Sequence, residues 1–396
     1  MIATNIADLR EQARRRLPRM FFDYIDGGAF SESTMRANEA DFDDWLLDPL
    51  VLRDVSRRDL STILLGHRSS LPVVLGPVGF AGLFASQGEA QAAKAASAAG
   101  IPMCLSTFSI CSMEEVSSSI DSPLYLQLYV LRDRLLCEEM IQRAEASGVK
   151  ALVVTVDSGI SSIRERDTRN GFRTASRLGL TAAIDMALHP RWAMNMLSGP
   201  RPKLGNISPR HSAGKSFMDQ VSYLSSQVDP ALCWEDIRWL KTRWKGPLII
   251  KGIATAQDAR RSIDHGASAI VVSNHGGRQL DGAMSTIKAL PAVAREVGGE
   301  IEIFLDGGIR RGTHIVKALA LGADGVFLGR AWAYGLAANG GKGVTEAISL
   351  LRAEFDITLA LMGIRNVDEI RGAGLRPALP SKAGNAGNMQ LLSELC

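Results

Sequence analysis

The sequence predicts an α/β protein that folds as a (β/α)8 barrel, a TIM barrel, with a long insertion after strand 4. From residue 72 onward, short apolar segments of strand length alternate with Ala-rich segments of helical periodicity. This alternation gives eight strands, at residues 72–76, 103–106, 124–127, 151–156, 248–251, 269–273, 303–306 and 325–328. The alternative is an open, doubly wound sheet, which usually carries a GxGxxG turn after its first strand. Residues 76–79, Gly-Pro-Val-Gly, do not form that turn.

Apolar spacing and capping residues predict the helices between these strands, at residues 88–99, 114–120, 133–147, 255–265, 286–297, 312–321 and 331–338. A further helix over residues 4–23 precedes the barrel, and Pro18 is expected to divide it into two. Residues 1–380 are expected to form one domain, and residues 381–396 a C-terminal tail. The Gly-, Ala- and Pro-rich segment 371–396 is expected to be poorly ordered or peripheral.

The composition is that of a soluble globular protein, with 46% hydrophobic residues and a net charge of +3 in 396 residues. A charge so close to neutral gives no argument for nucleic acid as a partner. Five cysteines without a CxxC pair make a disulfide framework unexpected and favour a reducing compartment. No secretory signal is expected in residues 1–16, no run of eighteen apolar residues occurs, and no metal site is predicted.

The most informative stretch runs from Ala269 to Asp281. Its first residues are apolar and β-branched and predict a buried strand. The residues Ser-Asn-His-Gly-Gly-Arg follow this strand directly. His275 and Arg278 lie three residues apart beside paired glycines, which allow a ligand or backbone to approach closely. A His and an Arg that merely cap a loop are the alternative. We favour a functional site, because sites lie at the carboxyl ends of parallel strands.

Chemically active side chains also follow the other predicted strands. A Lys, a His, a Gln, a Tyr and two Asp residues at one barrel mouth are typical of a catalytic rim. Turn-forming Gly, Asn and Asp residues would be expected there by chance. The residues at the strand ends are Pro77, Val78, Gly79, Ser106, Gln127, Tyr129, Thr155, Asp157, Lys251, Ser273, His275, Asp306, Gly307, Gly308, Gly329 and Arg330.

The last two strand ends predict a phosphate site. Gly307, Gly308 and Arg310 precede one helix, and Gly329 with Arg330 opens the next. Backbone N–H groups at helix N-termini together with Arg form an anion site, and the loops after strands 7 and 8 are its usual position. The glycines alone are equally explained as turn formers, but the two arginines are not.

These residues together indicate removal of two electrons and a proton from a carbon next to a carboxylate. Lys251 beside an electron-accepting ring would stabilise the charge that develops on reduction. His275 beside Asp157 would act as the base, and Arg164 with Arg278 would bind the carboxylate. Tyr24 and Tyr129 are candidates for hydrogen bonds to a substrate oxygen. A non-catalytic, phosphate-binding barrel is the alternative from another functional class.

The insertion, residues 158–247, is too long for an ordinary βα loop. Residues 173–203 combine basic side chains with Leu, Ile, Met and Trp, a pattern typical of a segment that lies on a membrane surface. A loop or short helix packed on the barrel explains the pattern equally well. The membrane-surface prediction covers residues 174–216.

Four motifs carry a resemblance to a known family. They are Phe-Asp-Tyr-Ile-Asp-Gly-Gly-Ala at 22–29, Gln-Leu-Tyr at 127–129, Ser-Asn-His-Gly-Gly-Arg-Gln-Leu-Asp at 273–281 and Asp-Gly-Gly-Ile-Arg at 306–310. The chain resembles the FMN-dependent L-2-hydroxy-acid dehydrogenases and oxidases, which include L-lactate and (S)-mandelate dehydrogenases. The resemblance covers nearly the whole chain.

The resemblance implies FMN as the cofactor and a role for each matching residue. His275 resembles the base, Asp157 its partner, and Lys251 the residue beside flavin N1 and the C2 carbonyl. Arg164, Arg278, Tyr24 and Tyr129 resemble the substrate ligands. The implied flavin-ring and ribityl contacts are Pro77, Val78, Gly79, Ser106, Gln127, Thr155 and Ser273. The implied ribityl and phosphate site comprises Asp306, Gly307, Gly308, Arg310, Gly329 and Arg330.

The resemblance also bears on the electron acceptor. Gly79 is similar to the residue found in the dehydrogenases, where the oxidases commonly have Ala. The motifs at 188–192 and 204–208 resemble the insertion of the membrane-associated enzymes. They imply a peripheral enzyme on the cytoplasmic side of the inner membrane that passes electrons to a quinone. A hydrogen-peroxide-forming oxidase is the alternative, and the family implies a homo-oligomer, a tetramer.

The substrate is expected to be an L-2-hydroxy acid. Similarity over the whole chain favours L-lactate, whereas the loop after strand 4, with Arg164 in an Arg-Glu-Arg-Asp run, is more similar to that of the mandelate enzyme. Phe108 is expected to line the pocket, where it would limit substrate size or stack on an aromatic one. L-Lactate is predicted ahead of (S)-mandelate.

Overall fold

A computed structural model of the chain describes residues 2–172, 179–208, 212, 214–372 and 374–378. Eight parallel strands close into a TIM barrel, as the sequence predicts. Numbered here as barrel strands 1 to 8, they are Val73–Leu75, Met103–Leu105, Leu124–Leu128, Ala151–Thr155, Leu248–Ile253, Ala269–Val272, Glu302–Leu305 and Gly325–Leu328. Strand 8 pairs with strand 1, Phe327 opposite Val74, and this pairing closes the sheet.

Alternation along each strand divides the core into two layers. Val74 points into the barrel and packs with Phe304 and Phe327, whose rings meet edge to face at 5.2 Å. Its neighbours Val73 and Leu75 point outward into the layer beneath the helices. Because both faces of such a strand are buried, the strands are nearly continuous apolar runs, which is why the sequence located them.

A β-hairpin, Thr62–Leu64 with His67–Ser69, covers one end of the barrel. Leu64 is fully buried among the interior side chains, and the Leu65 N–H donates to the carboxylate of Glu302. Since Glu302 is the first residue of strand 7, the hairpin lies at the amino-terminal end of the strands. The opposite, carboxyl-terminal end is therefore the one available for a site.

The helices around the barrel begin at side-chain caps. Asp133 accepts hydrogen bonds from the N–H groups of Leu135 and Leu136, and Thr255 accepts one from Asp258. The helices that separate the barrel strands are Gly88–Ala98, Met113–Ser117, Arg134–Ala146, Trp234–Arg243, Ala256–Asp264, Thr286–Val297 and Gly312–Ala320. The division of the N-terminal helix at Pro18 is confirmed, with helices Ile6–Arg16 and Arg19–Asp26.

The final predicted helix, residues 331–338, is confirmed up to a break at Asn339 and Gly340, but the helix that follows this break was not predicted. The helical segment runs over Arg330–Leu361, with a kink at Asn339 and Gly340. Gly340 has φ +58°, a left-handed conformation that favours glycine and usually ends a helix. The chain resumes a helix after this break instead of leaving the barrel, because its later residues bury an apolar face that includes Leu351 and Phe355.

The insertion after strand 4 contains further helices, at Glu165–Arg169, Leu180–Ala187, Pro190–Leu197 and Phe217–Gln227. Part of the predicted membrane-surface segment, residues 174–178, 209–211 and 213, lies outside the described residues. At the C-terminus, Leu375–Pro377 forms an antiparallel pair with Trp45–Leu47. The start of the tail is therefore peripheral but structured, and residues 379–396 lie outside the described part.

Candidate active site

A cavity of about 450 Å³ opens at the carboxyl ends of the barrel strands. The structure brings nearly every predicted site residue to its walls. Those that line it are Tyr24, Pro77, Val78, Gly79, Ser106, Phe108, Gln127, Tyr129, Thr155, Arg164, Lys251, His275, Arg278, Asp306, Gly307, Gly308, Arg310, Gly329 and Arg330. Asp157 and Ser273 stand one layer behind, where they hydrogen-bond His275 and Lys251.

His275 lies immediately beyond strand 6 with an unusual backbone. Its φ is +59°, a left-handed conformation that is uncommon for residues other than glycine and that concentrates at functional sites. The chain then passes through Gly277, where a Cβ would lie 2.5 Å from the Met35 backbone nitrogen. The glycine allows this close approach of the N-terminal segment, and the resulting turn presents the imidazole to the cavity.

Asp157 holds the imidazole from the side away from the cavity. Its Oδ1 lies 2.9 Å from His275 Nδ1, so this nitrogen carries the proton and Nε2 is left without one. Burial lowers the pKa of His275 from its usual value, and the charge of Asp157 opposes this shift without cancelling it. The imidazole is therefore neutral at pH 7, as a general base requires.

Lys251 lies near the carboxyl end of strand 5 and lines the cavity. Its Nζ donates to Ser273 Oγ at 2.8 Å and pairs with Asp306 Oδ2 at 2.6 Å. Burial by itself lowers the pKa of Lys251, but the charges of Asp306 and Asp157 outweigh burial and raise it. The ammonium group is therefore a fixed positive charge in a buried position.

Two guanidinium groups reach the cavity from different elements. Arg278 Nη1 donates to the carbonyl oxygens of Tyr24 and Gly27 at 2.7 and 2.8 Å. Its guanidinium carbon lies 5.0 Å from the centre of the Tyr24 ring. Arg164 lies 3.8 Å from Asp167 and is mostly buried. The two arginines make this part of the cavity suitable for a carboxylate.

The ends of strands 7 and 8 form a different kind of surface. Arg310 Nη2 pairs with Glu39 at 2.7 Å. Arg330 directs its guanidinium toward the carbonyl oxygens of Ile25, Gly27 and Gly276, at 2.7 to 3.0 Å. Burial lowers the pKa of Arg330 to about 10, so it still carries its charge at pH 7. The guanidinium N–H groups of Arg330 are used on backbone carbonyl oxygens. A phosphate at this position would therefore interact with the positive charge of Arg330 and with the N-terminus of the helix that begins there.

The donor set fits a planar cofactor with a polar edge and a phosphate. Within the described part of the chain, Gln127 Nε2, Thr155 Oγ1 and Asp306 Oδ1 are buried without a hydrogen-bond partner. Buried polar atoms are rarely left unsatisfied, and these three lie on residues that line the cavity. A Cβ built on Gly329, at the start of a helix, would meet nothing within 4 Å. These features match a bound flavin mononucleotide.

Sequence reasoning missed several residues of the cavity wall. Ser158 contacts both Asp157 and His275. Phe172 packs on Tyr24 with ring centres 4.8 Å apart, and Met218 lines the cavity from the helix Phe217–Gln227. The Ser216–Asp219 capping box marks the start of that helix in the sequence, but no local pattern indicates that an insertion helix returns to the barrel mouth.

A closed barrel with a His–Asp pair, a buried Lys and an anion site after strands 7 and 8 defines a flavin-dependent oxidoreductase. The chain matches the FMN-dependent dehydrogenase family over residues 13–377 and belongs to that family. FMN is its cofactor, and oxidation of a 2-hydroxy acid is its chemistry.

Sequence relatives and solved structures are similar to this chain over nearly its full length. It is 45% identical to the L-lactate dehydrogenase of Caulobacter vibrioides (strain NA1000 / CB15N), over 96% of this chain and 99% of that protein. An L-lactate dehydrogenase of Xanthomonas campestris pv. campestris (strain 8004) is also 45% identical, over 95% and 97% of the two chains. The crystal structure of the monotopic membrane protein (S)-mandelate dehydrogenase has a TM-score of 0.91 and 38% identity, over 96% of this chain and 100% of that one.

Proposed function

We propose that this enzyme oxidises L-lactate to the 2-oxo acid and passes the electrons to a membrane quinone. The observation that carries the proposal is that His275, which Asp157 holds from behind, shares one cavity with Arg164 and Arg278. The L-lactate dehydrogenases of high identity support the choice of substrate.

In this proposal, Arg164 and Arg278 bind the substrate carboxylate and orient the C2 carbon. His275 Nε2 takes a proton from the substrate, and Asp157 stabilises the imidazolium that forms. Tyr129 donates a hydrogen bond to a substrate oxygen and stays protonated, because burial raises its pKa. FMN, when bound, accepts two electrons, and Lys251 stabilises the added negative charge. Bound here, FMN would be held by the strand-end donors, by Gly308 and Arg310, and by the helix start at Arg330.

The cavity wall favours a second candidate substrate, (S)-mandelate. The aromatic rings of Tyr24, Phe80, Phe108 and Phe172 form one connected cluster, with centres 4.8 to 6.3 Å apart. Such a wall accommodates a phenyl group by edge-to-face contact. The deciding experiment compares kcat/KM for L-lactate and (S)-mandelate with the same artificial acceptor. A tenfold or larger preference for L-lactate supports the proposal, and the reverse preference replaces it with the aromatic substrate.

A membrane quinone as the acceptor is supported by an exposed apolar surface on two helices of the insertion, Leu180–Ala187 and Pro190–Leu197. Their outer surface exposes Leu180, Ile184, Leu188, Met194 and Leu197, each at least half exposed. Trp192 anchors the pair, since its Nε1 donates to the Leu83 carbonyl oxygen at 2.9 Å. The described residues contain no helix long and apolar enough to cross a bilayer. We propose that this surface rests on the membrane.

The membrane proposal is tested by sedimentation with anionic phospholipid vesicles. We expect Leu188→Glu combined with Leu197→Glu to release the protein into the supernatant at unchanged activity with a soluble acceptor. Ile357→Glu combined with Leu361→Glu, two exposed side chains on the C-terminal helix, is the matched control. Equal sedimentation of both double variants would refute the assignment of this surface. Rapid peroxide formation in air, in place of quinone reduction, would identify an oxidase instead.

A further inference from the structure

The side chain of Ser158 lies between two of the proposed catalytic groups. Ser158 Oγ is 2.9 Å from Asp157 Oδ1 and 3.1 Å from His275 Nδ1. The distance between Asp157 Oδ1 and His275 Nδ1 is also 2.9 Å. The three atoms therefore form a nearly equilateral triangle, and Ser158 also lines the cavity.

The chemistry of the three groups fixes where the protons lie. An ionised carboxylate only accepts hydrogen bonds, so the Ser158 hydroxyl donates to Asp157 Oδ1. The proton on His275 Nδ1 is then shared between Asp157 Oδ1 and Ser158 Oγ. Asp157 Oδ2 has no hydrogen-bond partner in the described part of the chain. The buried carboxylate of Asp157 therefore accepts hydrogen bonds from two side chains, the imidazole of His275 and the neutral hydroxyl of Ser158.

We propose that Ser158 is a positioning residue for the base: its hydroxyl bridges Asp157 and His275, fixes the tautomer with a free Nε2, and moderates the pull of the carboxylate on the imidazolium. The inference rests on the proposed function, because it assigns a role within that site. A proton taken by His275 must later leave, and a carboxylate that already accepts from a serine holds the imidazolium less tightly.

The removal of the hydroxyl has a predictable direction. Removal of the hydroxyl takes one neutral acceptor from the Nδ1 proton and leaves the full charge of Asp157 to act on it. Because a hydrogen bond to a charged group is the stronger one, the imidazolium is favoured and the pKa of His275 rises. Lys251 and Arg164 are the other charged groups that act on the imidazole, and both disfavour its protonation. Neither changes in the variants, so a shift is attributable to Ser158. The loss of one hydrogen bond corresponds to about half a pH unit.

The test compares Ser158→Val with Ser158→Thr in the FMN-loaded enzyme. The two replacements have the same size and branching, and only threonine keeps the hydroxyl. We expect Ser158→Val to slow anaerobic flavin reduction by about tenfold at unchanged KM, and to move the acid limb of kcat/KM upward by about half a pH unit. Ser158→Thr is expected to stay within about threefold of the wild type, with the limb unmoved.

A second readout separates this inference from the proposed function. The rate at which diethyl pyrocarbonate modifies the peptide that contains His275, followed against pH by mass spectrometry, reports the pKa of His275 without any substrate. The inference predicts a higher value in Ser158→Val than in Ser158→Thr. Equal pKa values of His275 in the two variants would overturn the inference. So would equally slow flavin reduction in both variants with the acid limb of kcat/KM unmoved. If the wild type is not reduced by any 2-hydroxy acid, the proposed function fails, whatever the modification rates show.

Discussion

The two halves of the cavity are built by different means. At strands 4 to 6, side chains hold side chains: Asp157 orients His275, and Ser273 orients Lys251. At strands 7 and 8, Arg310 pairs with Glu39, but the buried Arg330 holds backbone carbonyl oxygens instead. The first half is suited to moving a proton, and the second to fixing an anion at helix starts. Substitutions are therefore expected to impair chemistry in the first half and cofactor retention or stability in the second.

The largest effect is expected for His275→Gln. Glutamine keeps a polar side chain at the cavity but has no nitrogen that accepts a proton at neutral pH. We expect kcat to fall by about 10³-fold, the range for loss of a general base, while the protein stays yellow. Steady-state turnover and the flavin-to-protein ratio are the measurements. Loss of flavin in this variant would mean that the two halves are not separable.

Arg330→Lys tests the opposite half. A lysine has one nitrogen where the guanidinium reaches three carbonyl oxygens, so buried acceptors are left unsatisfied. We expect a loss of about 3 kcal/mol of stability and release of FMN. Chemical denaturation and flavin fluorescence in the filtrate measure these effects. Arg311→Lys, at an exposed ion pair with Glu354, is the control and is expected to change neither.

Asp26 connects the N-terminal helices to the half of the cavity at strands 7 and 8. We expect its substitution to change stability less than Arg330→Lys does. It accepts hydrogen bonds from Arg10, Arg166 and Tyr334. Burial by itself raises the pKa of Asp26, but these partners outweigh it and lower the pKa to about 2.

A folded pKa below the unfolded one stabilises the protein at high pH. The contribution of Asp26 is therefore complete above about pH 4 and is lost as the pH falls toward 2, an effect of about 2 kcal/mol. Asp26→Asn is expected to remove this part of the acid destabilisation, followed as the free energy of unfolding between pH 5 and 2. An unchanged pH dependence in the variant would exclude Asp26 as its source.

The smallest effect concerns the pH profile of the wild type. Since the pKa of His275 is lowered, the base stays unprotonated below its usual titration range. The acid limb of kcat/KM is therefore expected below pH 6.5, with activity lost as the pH falls through it. A limb above that pH would show that Asp157 dominates over burial at this site.

The barrel and most of the cavity wall were predictable because both follow from local patterns. Apolar runs located the strands, and polar residues such as Lys251 and His275 lie at or just beyond their carboxyl ends. The helix that resumes after Gly340 was missed, because Asn339 and Gly340 have the signature of a helix end. Ser158 and Met218 were missed for another reason: their roles depend on where a loop and an insertion helix return in space, which no short-range spacing records.

Rapid anaerobic mixing of the FMN-loaded wild type with L-lactate, with D-lactate as the control, measures whether His275 and the flavin together oxidise an L-2-hydroxy acid. We expect that the L-enantiomer bleaches the visible flavin band, that the D-enantiomer does not, and that His275→Gln stays yellow with both. A wild type that neither L-lactate nor (S)-mandelate bleaches would contradict the proposed substrate class. A His275→Gln variant bleached at the wild-type rate would contradict the assignment of the base.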